Sequence, residues 1–559
     1  MPPQPFDLGQ TLQQALALHQ QGKLRDAEKL YARVLKAAPG HFDALHLLGL
    51  VKAQSGQMGE AYRLMASAVR INAQAPDAWS NLANVLHSLK RNDEALAAVD
   101  KAVQLRPADA GFLQQRGNIL LSLARHTDAI DCFDAVLRSN PRQGEALFNR
   151  GTAKATLGRH AEALADFDAA LMVMPLHPNA LYNRGNALLD LGRPAEAIVA
   201  FDQALTRAPQ HVKALNNRGR ALQALNRHAE ALAAFDKAIA IDKDYADAHV
   251  NRSHTLLTLG ELRKGFAAYE WRWKRTGMAG AARKTGRPLW LGEYPIGGKT
   301  ILLHAEQGLG DTIQFARYAP LLAKAGAKVV LEVQPELKAL LSGLEGVQTC
   351  VARGEPLPAF DVHCPLLSLP LALKTDSASV PAPILYLHAA DDRIERWKPR
   401  LEALPGKRVA IAWAGHTRHV NDRNRSLALE MLAPLLAREG ISFVSIQREL
   451  RDGDREILTR YGNVTHVGDD LADMADTAAV AALTDLTLAV DTSVVHLAGA
   501  LGRPVWIMLP FVPDWRWGLA SETTPWYPQA RLFRQPALGQ WTDVVAAVGD
   551  ALAHFAAKD

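Results

Sequence analysis

Cysteine is nearly absent from the chain, which has three in 559 residues: Cys132, Cys350 and Cys364. They form no CxxC pair, so a disulfide framework is excluded and no metal-ligand set is in view. Long apolar runs are missing as well. The longest, Val505 to Val512, is too short for a bilayer, which takes about 20 residues. The start, MPPQPFDLGQ, lacks a basic stretch and an apolar core, so no signal peptide is expected. Charge of one sign is scarce. Lys+Arg 63 against Asp+Glu 58 leaves +5, too little for the length to argue for a nucleic-acid partner. These absences predict a soluble, cytoplasmic chain with no transmembrane segment. Hydrophobic residues are 48% and charged residues 22%, so wholesale disorder is excluded and large cores are available. Tryptophan is unevenly placed: of 11, only Trp79 precedes residue 270. Two differently built halves are expected.

The first half repeats itself every 34 residues. Ala27, Ala61, Ala95, Ala129, Ala163, Ala197 and Ala231 recur at that spacing, as do Gly49, Ala83, Gly117, Gly151, Gly185, Gly219 and Ser253. Four residues after each alanine stands a larger apolar side chain: Tyr31, Met65, Val99, Phe133, Phe167, Phe201, Phe235. Pro39, Pro107, Pro141, Pro175 and Pro209 end units, where the chain must leave a helix. Small residues mark close approach of two helices. The pattern resembles the tetratricopeptide repeat. Eight units fit from residue 8 to 275, the eighth with Gly265 in the alanine slot.

Such arrays form a superhelix with a concave, peptide-binding surface. Asn81, Gln115, Asn149, Asn183, Asn217 and Asn251 share one position of the unit, and Asn84, Asn118 and Asn186 another. A primary amide donates and accepts, so this ladder suits the backbone of an extended peptide. It resembles the ladder of the O-linked N-acetylglucosamine transferases. The other reading pairs these amides between neighbouring helices of the array. Arg116, Arg150, Arg184, Arg218 and Arg252 recur beside them, with packed stems and paired heads expected.

After a tryptophan-rich link the period changes. Thr300–His304 is strand-like, a glycine loop follows, then a helix over 311–325 and a strand over 329–333. That is a βαβ unit, which predicts a parallel sheet. Strands are expected again at 409–413, 442–446, 464–467, 486–490 and 505–509, with helices such as 429–439 and 477–483 between them. In such sheets ligands sit at the carboxyl ends of strands. Those ends carry Gln307-Gly-Leu-Gly-Asp311, Trp413-Ala-Gly-His416, Gln447 and Asp491-Thr-Ser-Val-Val-His496.

The motifs GLGDTIQ, IAWAG followed by NDRNRSL, and AVDTSVVHLAGALGRPVW resemble the heptosyltransferase-like glycosyltransferases of the GT-B fold. Fused to a repeat array, they resemble bacterial protein glycosyltransferases, including those that modify flagellin. The expected fold is therefore an α superhelix, a tetratricopeptide solenoid, followed by an α/β GT-B-like domain of two Rossmann-like lobes. The boundaries read are 8–275 for the array, 276–295 for a linker and 296–385 for a short first lobe. An inter-lobe link at 386–406 leads to a nucleotide-sugar-binding lobe at 407–545 and a C-terminal helix or tail at 546–559.

The resemblance implies Asp311 as the catalytic base, with Gly308 and Gly310 letting backbone approach the ligand; alone, the residue also reads as a helix cap. Donor binding is expected from Asp491, Thr492 and Ser493 at a helix start that suits a phosphate, and from His496 one turn on, which also reads as a structural histidine. Arg425 best matches the family's basic residue for the leaving phosphate. Arg423, His416 and Arg418 share its loop, which also reads as solvated, and Gln447 is placed to read base or ribose. Asp452-Gly-Asp454 lies in a charged stretch, so no metal is expected, and no cofactor beyond the nucleotide sugar as substrate. Trp515, Trp517, Trp526 and Tyr527 read mainly as packing. The expected function is a metal-independent, inverting glycosyltransferase that modifies a protein recruited by the array. The alternatives are an interaction scaffold with an inactive transferase-like domain, or a lipopolysaccharide-type sugar transferase.

Overall fold

The computed structural model describes residues 7–277, 283, 285–417 and 421–557. Sixteen helices, α1–α16, come first, in helix-turn-helix pairs. They are Leu8–Gln20 with Leu24–Ala37, Phe42–Gln54 with Met58–Ile71, Pro76–Ser88 with Asn92–Leu105, and Ala110–Ser122 with His126–Ser139. Gly144–Thr156 with His160–Val173, Pro178–Asp190 with Pro194–Arg207, Val212–Gln223 with His228–Ile241, and Ala246–Thr258 with Leu262–Tyr269 follow. Compact packing divides the chain into Met1–Ala221 and Leu222–Asp559. The division falls inside α13, so α14–α16 share a unit with everything downstream.

In the first unit the repeating residues do what their sizes dictate. All six repeating alanines from Ala27 to Ala197 are fully buried. The small residue of each pair's first helix faces the large one of its second. A Cβ on Gly117, Gly151 or Gly185 would lie 2.6, 2.8 and 2.5 Å from Phe133, Phe167 and Phe201. The turn inside each pair holds one residue at positive φ, again every 34 positions. Five of these are glycine (22, 56, 158, 192, 260), while Lys90, Ala124 and Asn226 take the same conformation.

Arginine rungs join consecutive pairs: Arg116–Asp100 at 2.7 Å, Arg150–Asp134 at 2.6 Å, Arg184–Asp168 at 2.6 Å and Arg218–Asp202 at 2.5 Å. The amide ladder runs beside them. Asn149 Nδ2 donates to Asn118 Oδ1 at 2.9 Å, Asn183 Nδ2 to Thr152 Oγ1 at 3.2 Å and Asn217 Nδ2 to Asn186 Oδ1 at 2.8 Å. Gln115 Nε2 donates to Ser80 O and Asn84 Oδ1, both at 2.8 Å, and Asn81 Nδ2 pairs with His46 Nε2 at 2.9 Å. These nitrogens are thus engaged inside the array, as the second reading of the ladder has it.

The second unit begins with α14–α16. Helix α16 is short, ending at Tyr269 in a tight turn, Glu270–Lys274. Gly265 fills the alanine slot because α15 comes too close for more: a Cβ would lie 2.5 Å from Leu257. A four-stranded parallel sheet follows, β1 (Thr300–His304), β2 (Lys328–Val333), β3 (Val347–Ala352) and β4 (Val362–Pro365), in the order β3-β2-β1-β4. A six-stranded parallel sheet comes next: β5 (Lys407–Ala412), β6 (Ile441–Ser445), β7 (Val464–His466), β8 (Leu486–Val490), β9 (Val505–Leu509) and β10 (Ala530–Arg534). Its order is β10-β9-β8-β5-β6-β7. That is the doubly wound arrangement, in which the chain reverses direction across the sheet between β5 and β8 and opens a crevice at their carboxyl ends.

The helices of this α/β part are α17 (Leu309–Ala316), α18 (Ala319–Lys324), α19 (Pro335–Leu341), α20 (Leu369–Ala372), α21 (Asp391–Glu402) and α22 (Asp422–Arg425). They continue with α23 (Ala433–Leu436), α24 (Asp454–Thr459), α25 (Met474–Leu483), α26 (Ser493–Ala500) and α27 (Trp541–Ala556). The single helix expected over 311–325 is two, because Pro320 cannot donate to the carbonyl of Ala316. Pro434 likewise reduces the helix expected over 429–439 to a tight turn at Leu429–Leu432 and one α-turn. The C-terminal helix starts at Trp541, ahead of the boundary read at 546. Strand alternation sends Val409, Ile411 and Trp413 into a core shared with α27, and Ala410 and Ala412 into the core on the other face. Among the described residues, no helix is long and apolar enough to cross a membrane.

Candidate functional site

Two helix starts meet at the carboxyl ends of the strands. Helix α17 leaves β1 through the glycine loop; α26 leaves β8 through Asp491 and Thr492. The two pack closely because Gly310 has no side chain. A Cβ there would lie 2.7 Å from His496 Cδ2 and 3.3 Å from Ser493 Cα. The first turns of both helices, with their unpaired N–H groups and positive dipole ends, therefore lie side by side.

Asp311, the third residue of α17, accepts from the Gly308 N–H at 3.0 Å through Oδ2. Its Oδ1 pairs with Arg516 Nη2. Arg516 also donates to Asp514 at 2.8 Å and to Gln314 Oε1. The guanidinium is 8% exposed, so it fixes the carboxylate from below and balances its charge. Asp311 is thus a helix cap, as one sequence reading has it, and the ion-pair partner of Arg516.

Asp491 is half-buried. Burial first and Asp514 second raise its pKa to about 6, against a hydrogen bond from Trp517 and the charges of Arg516 and Arg425. Its backbone carbonyl accepts from Arg425 Nη1 at 2.9 Å. Arg425 reaches it across Gly415, where a Cβ would collide with the guanidinium at 2.5 Å. Three buried polar atoms near these helix starts have no hydrogen-bond partner among the described residues: Arg425 Nε, Thr492 Oγ1 and Gln314 Nε2. All can donate. Unmet donors beside two helix starts and two arginines make a seat for an anion.

His496 is buried, donates to or accepts from Tyr527 OH at 3.0 Å and stacks on Trp517 at 5.4 Å between ring centroids. Burial pushes its pKa well down. It packs between the two helices as a neutral ring. Gln447 is spent on backbone: Oε1 accepts from Trp413 N–H at 3.2 Å and Ala414 N–H at 3.1 Å, while Nε2 donates to Glu449 O at 3.2 Å. These contacts tie Gln447 to the end of β5. His416 sits beside Glu449 at 3.4 Å with both exposed, Arg423 is exposed, and Arg418 lies outside the described residues. Asp454 accepts from Trp413 Nε1 at 3.1 Å and is buried. No group of metal-ligating side chains occurs among the described residues. Trp515, Trp517, Trp526 and Tyr527 pack together at ring separations near Trp515–Trp526, 5.5 Å.

Sequence reasoning missed Arg516, Asp514 and Gln314. Arg516 stood between two tryptophans in PDWRWG, and that placement was the signal: a cation flanked by large aromatics is set for burial.

The tetratricopeptide repeat family matches residues 115–180 and 182–246, and the family described as anaphase-promoting complex, cyclosome, subunit 3 matches 20–102. The fold and these matches show tetratricopeptide repeats in the N-terminal region, followed by a C-terminal α/β region of two parallel sheets. Among curated proteins it is similar to protein FlbA of Caulobacter vibrioides, with 26% identity over 319 residues. The alignment takes in 53% of each chain, so this chain spans about half the length of the curated relative it matches. A tetratricopeptide repeat protein from Parabacteroides merdae is 19% identical, covering 44% of this chain and 98% of its own at a TM-score of 0.36. YrrB, a TPR protein with an unusual peptide-binding site, is 27% identical over 33% of this chain and 95% of its own, at a TM-score of 0.30.

Proposed function

We propose that the protein is a metal-independent, inverting glycosyltransferase of GT-B type that moves a sugar from a nucleotide-sugar donor to a protein acceptor. The observation that carries this reading is the grouping of two helix starts, Arg425, Arg516 and three unmet donors beside Asp311. The donor's phosphates sit at the start of α26, where Thr492 Oγ1, Arg425 and the N–H groups neutralise the charge that grows as the sugar–phosphate bond breaks. The acceptor hydroxyl oxygen attacks the anomeric carbon from the opposite face. Its proton passes to Asp311, which Arg516 and Gly308 keep aimed. The departing nucleotide takes the electron pair of the broken C–O bond.

The repeats capture the acceptor polypeptide and raise its concentration at the crevice. Flagellin, suggested by the sequence resemblance, is the first acceptor to try. The test is thermal unfolding of the purified chain against UDP-, GDP-, ADP- and CMP-sugars. A ligand at 100 times its Kd stabilises by about 2.7 kcal/mol. An upward shift with one donor, lost in Arg425→Ala, supports the reading. No shift with any of them would favour a scaffold without turnover.

A further inference from the structure

The two residues ahead of the glycine loop are held from the end of the repeat array. Tyr269, the last residue of α16, accepts through its hydroxyl from Gln307 Nε2. Arg272, three residues on, donates to both oxygens of Glu306 at 3.0 and 3.2 Å. The same guanidinium donates to Ser368 Oγ at 2.7 Å and Glu270 Oε1 at 2.6 Å, and packs over the Tyr269 ring at 4.7 Å. Arg272 is 3% exposed and the Glu306 side chain 5%. On its other side Gln307 is fixed by lobe residues: its carbonyl accepts from Gln334 Nε2 at 2.7 Å, and Gln334 Oε1 accepts from Thr312 at 3.0 Å.

These contacts do not follow from the needs of a repeat. A terminal repeat helix ordinarily ends on a polar, solvated face. Here it ends on a buried ion pair and a side-chain hydrogen bond to adjacent residues, 306 and 307, of a loop that must place Gly308 and Asp311. A buried guanidinium shared by two carboxylates costs desolvation that a plain packing contact would not. Its retention at this place is explained if loop geometry, and not core stability, is what it serves.

We infer that Tyr269 and Arg272 are positioning residues for the glycine loop, so that the end of the repeat array is a structural part of the transfer site. This rests on the glycosyltransferase reading for its chemistry, but the positioning itself is independent of it. A disturbance of the last repeat pair then reaches Asp311 through two residues, without any movement of the sheets.

The experiment uses the full chain with Tyr269→Phe, Gln307→Met and both together. Amide hydrogen exchange over 306–311 is measured alongside kcat and KM for whichever of the UDP-, GDP-, ADP- or CMP-sugars the unchanged protein turns over. Tyr269→Phe is expected to speed exchange in the loop at least fivefold and lower kcat about tenfold, with the donor KM within twofold. In the Gln307→Met background it should add nothing. Unchanged loop exchange in Tyr269→Phe, or equal effects in both backgrounds, would overturn the inference. Absence of turnover in the unchanged protein would sink the transferase reading instead, and the exchange comparison would still decide the positioning.

Discussion

Gly310 and His496 touch with no room for a methyl group between them: a Cβ on the glycine would stand 2.7 Å from the imidazole Cδ2. The imidazole cannot yield, because Tyr527 and Trp517 hold it on two sides. Gly310→Ala should therefore push α17 and α26 apart. Overpacking of this kind costs about 1–3 kcal/mol, and urea unfolding should register it. His496→Ala in the same chain should recover part of the loss, since it removes the clashing ring.

Asp311→Asn keeps the shape of the side chain and removes its charge. General base catalysis contributes about 100- to 10,000-fold, so transfer should fall by at least 100-fold while the donor-induced rise in Tm persists. Transfer within tenfold of the unchanged protein would assign Asp311 to capping alone.

Thr492 carries a buried hydroxyl without a partner. Such a group costs about 1–3 kcal/mol of stability. Thr492→Val should raise the Tm of the ligand-free chain. In the presence of a binding nucleotide sugar its Tm should rise less than that of the unchanged chain. A threonine kept only for packing would show no such crossing.

Glu306 should make stability depend on pH near neutrality. Burial lifts its pKa from 4.5 to about 7 against the pull of Arg272, with Glu270 and Asp311 adding like charge. A carboxyl raised in the folded state binds its proton more tightly there than when unfolded. Its contribution is thus most favourable below pH 4.5 and is lost as pH climbs through 7. Glu306→Gln should flatten that slope. Between pH 5 and pH 8 it should therefore lose less stability than the unchanged chain, read as the change in Tm over that range.

Ala124 occupies the position where five other units place glycine, with φ at 56°. A side chain in that region costs about 1–2 kcal/mol. Ala124→Gly should raise stability by about 1 kcal/mol in chemical denaturation, net of glycine's own entropy. Ala155→Gly, inside a helix, should lower it by a similar amount.

The repeats were legible because their constraints are local and recur. One alanine, one small residue and one aromatic per unit leave the same mark at each turn of the count. The positive-φ position hid from that count because Lys90, Ala124 and Asn226 break its glycine pattern. Strands β1, β8 and β9 were legible from compact apolar runs. Strand β4 has four residues, and β3 and β10 carry polar or charged ones, so neither run nor alternation exposed them. In the site, Asp311 and the Asp491–His496 run were found because each opens a helix after a strand. Arg516 meets Asp311 from 205 residues away, and Tyr269 meets Gln307 from 38. Contacts at such separations leave no spacing to read.

The rungs of the first unit have a consequence for how the array changes over generations. Each arginine reaches an aspartate 16 residues back, in the preceding pair. If 34 residues were lost between Asp134 and Arg184, Asp134 would take the place of Asp168 and the rung would close unaltered. The units that carry this rung are therefore interchangeable at the joint. Unequal crossing-over that adds or removes whole 34-residue units in this stretch keeps the ion pairs at the joint and the reading frame of the α/β region.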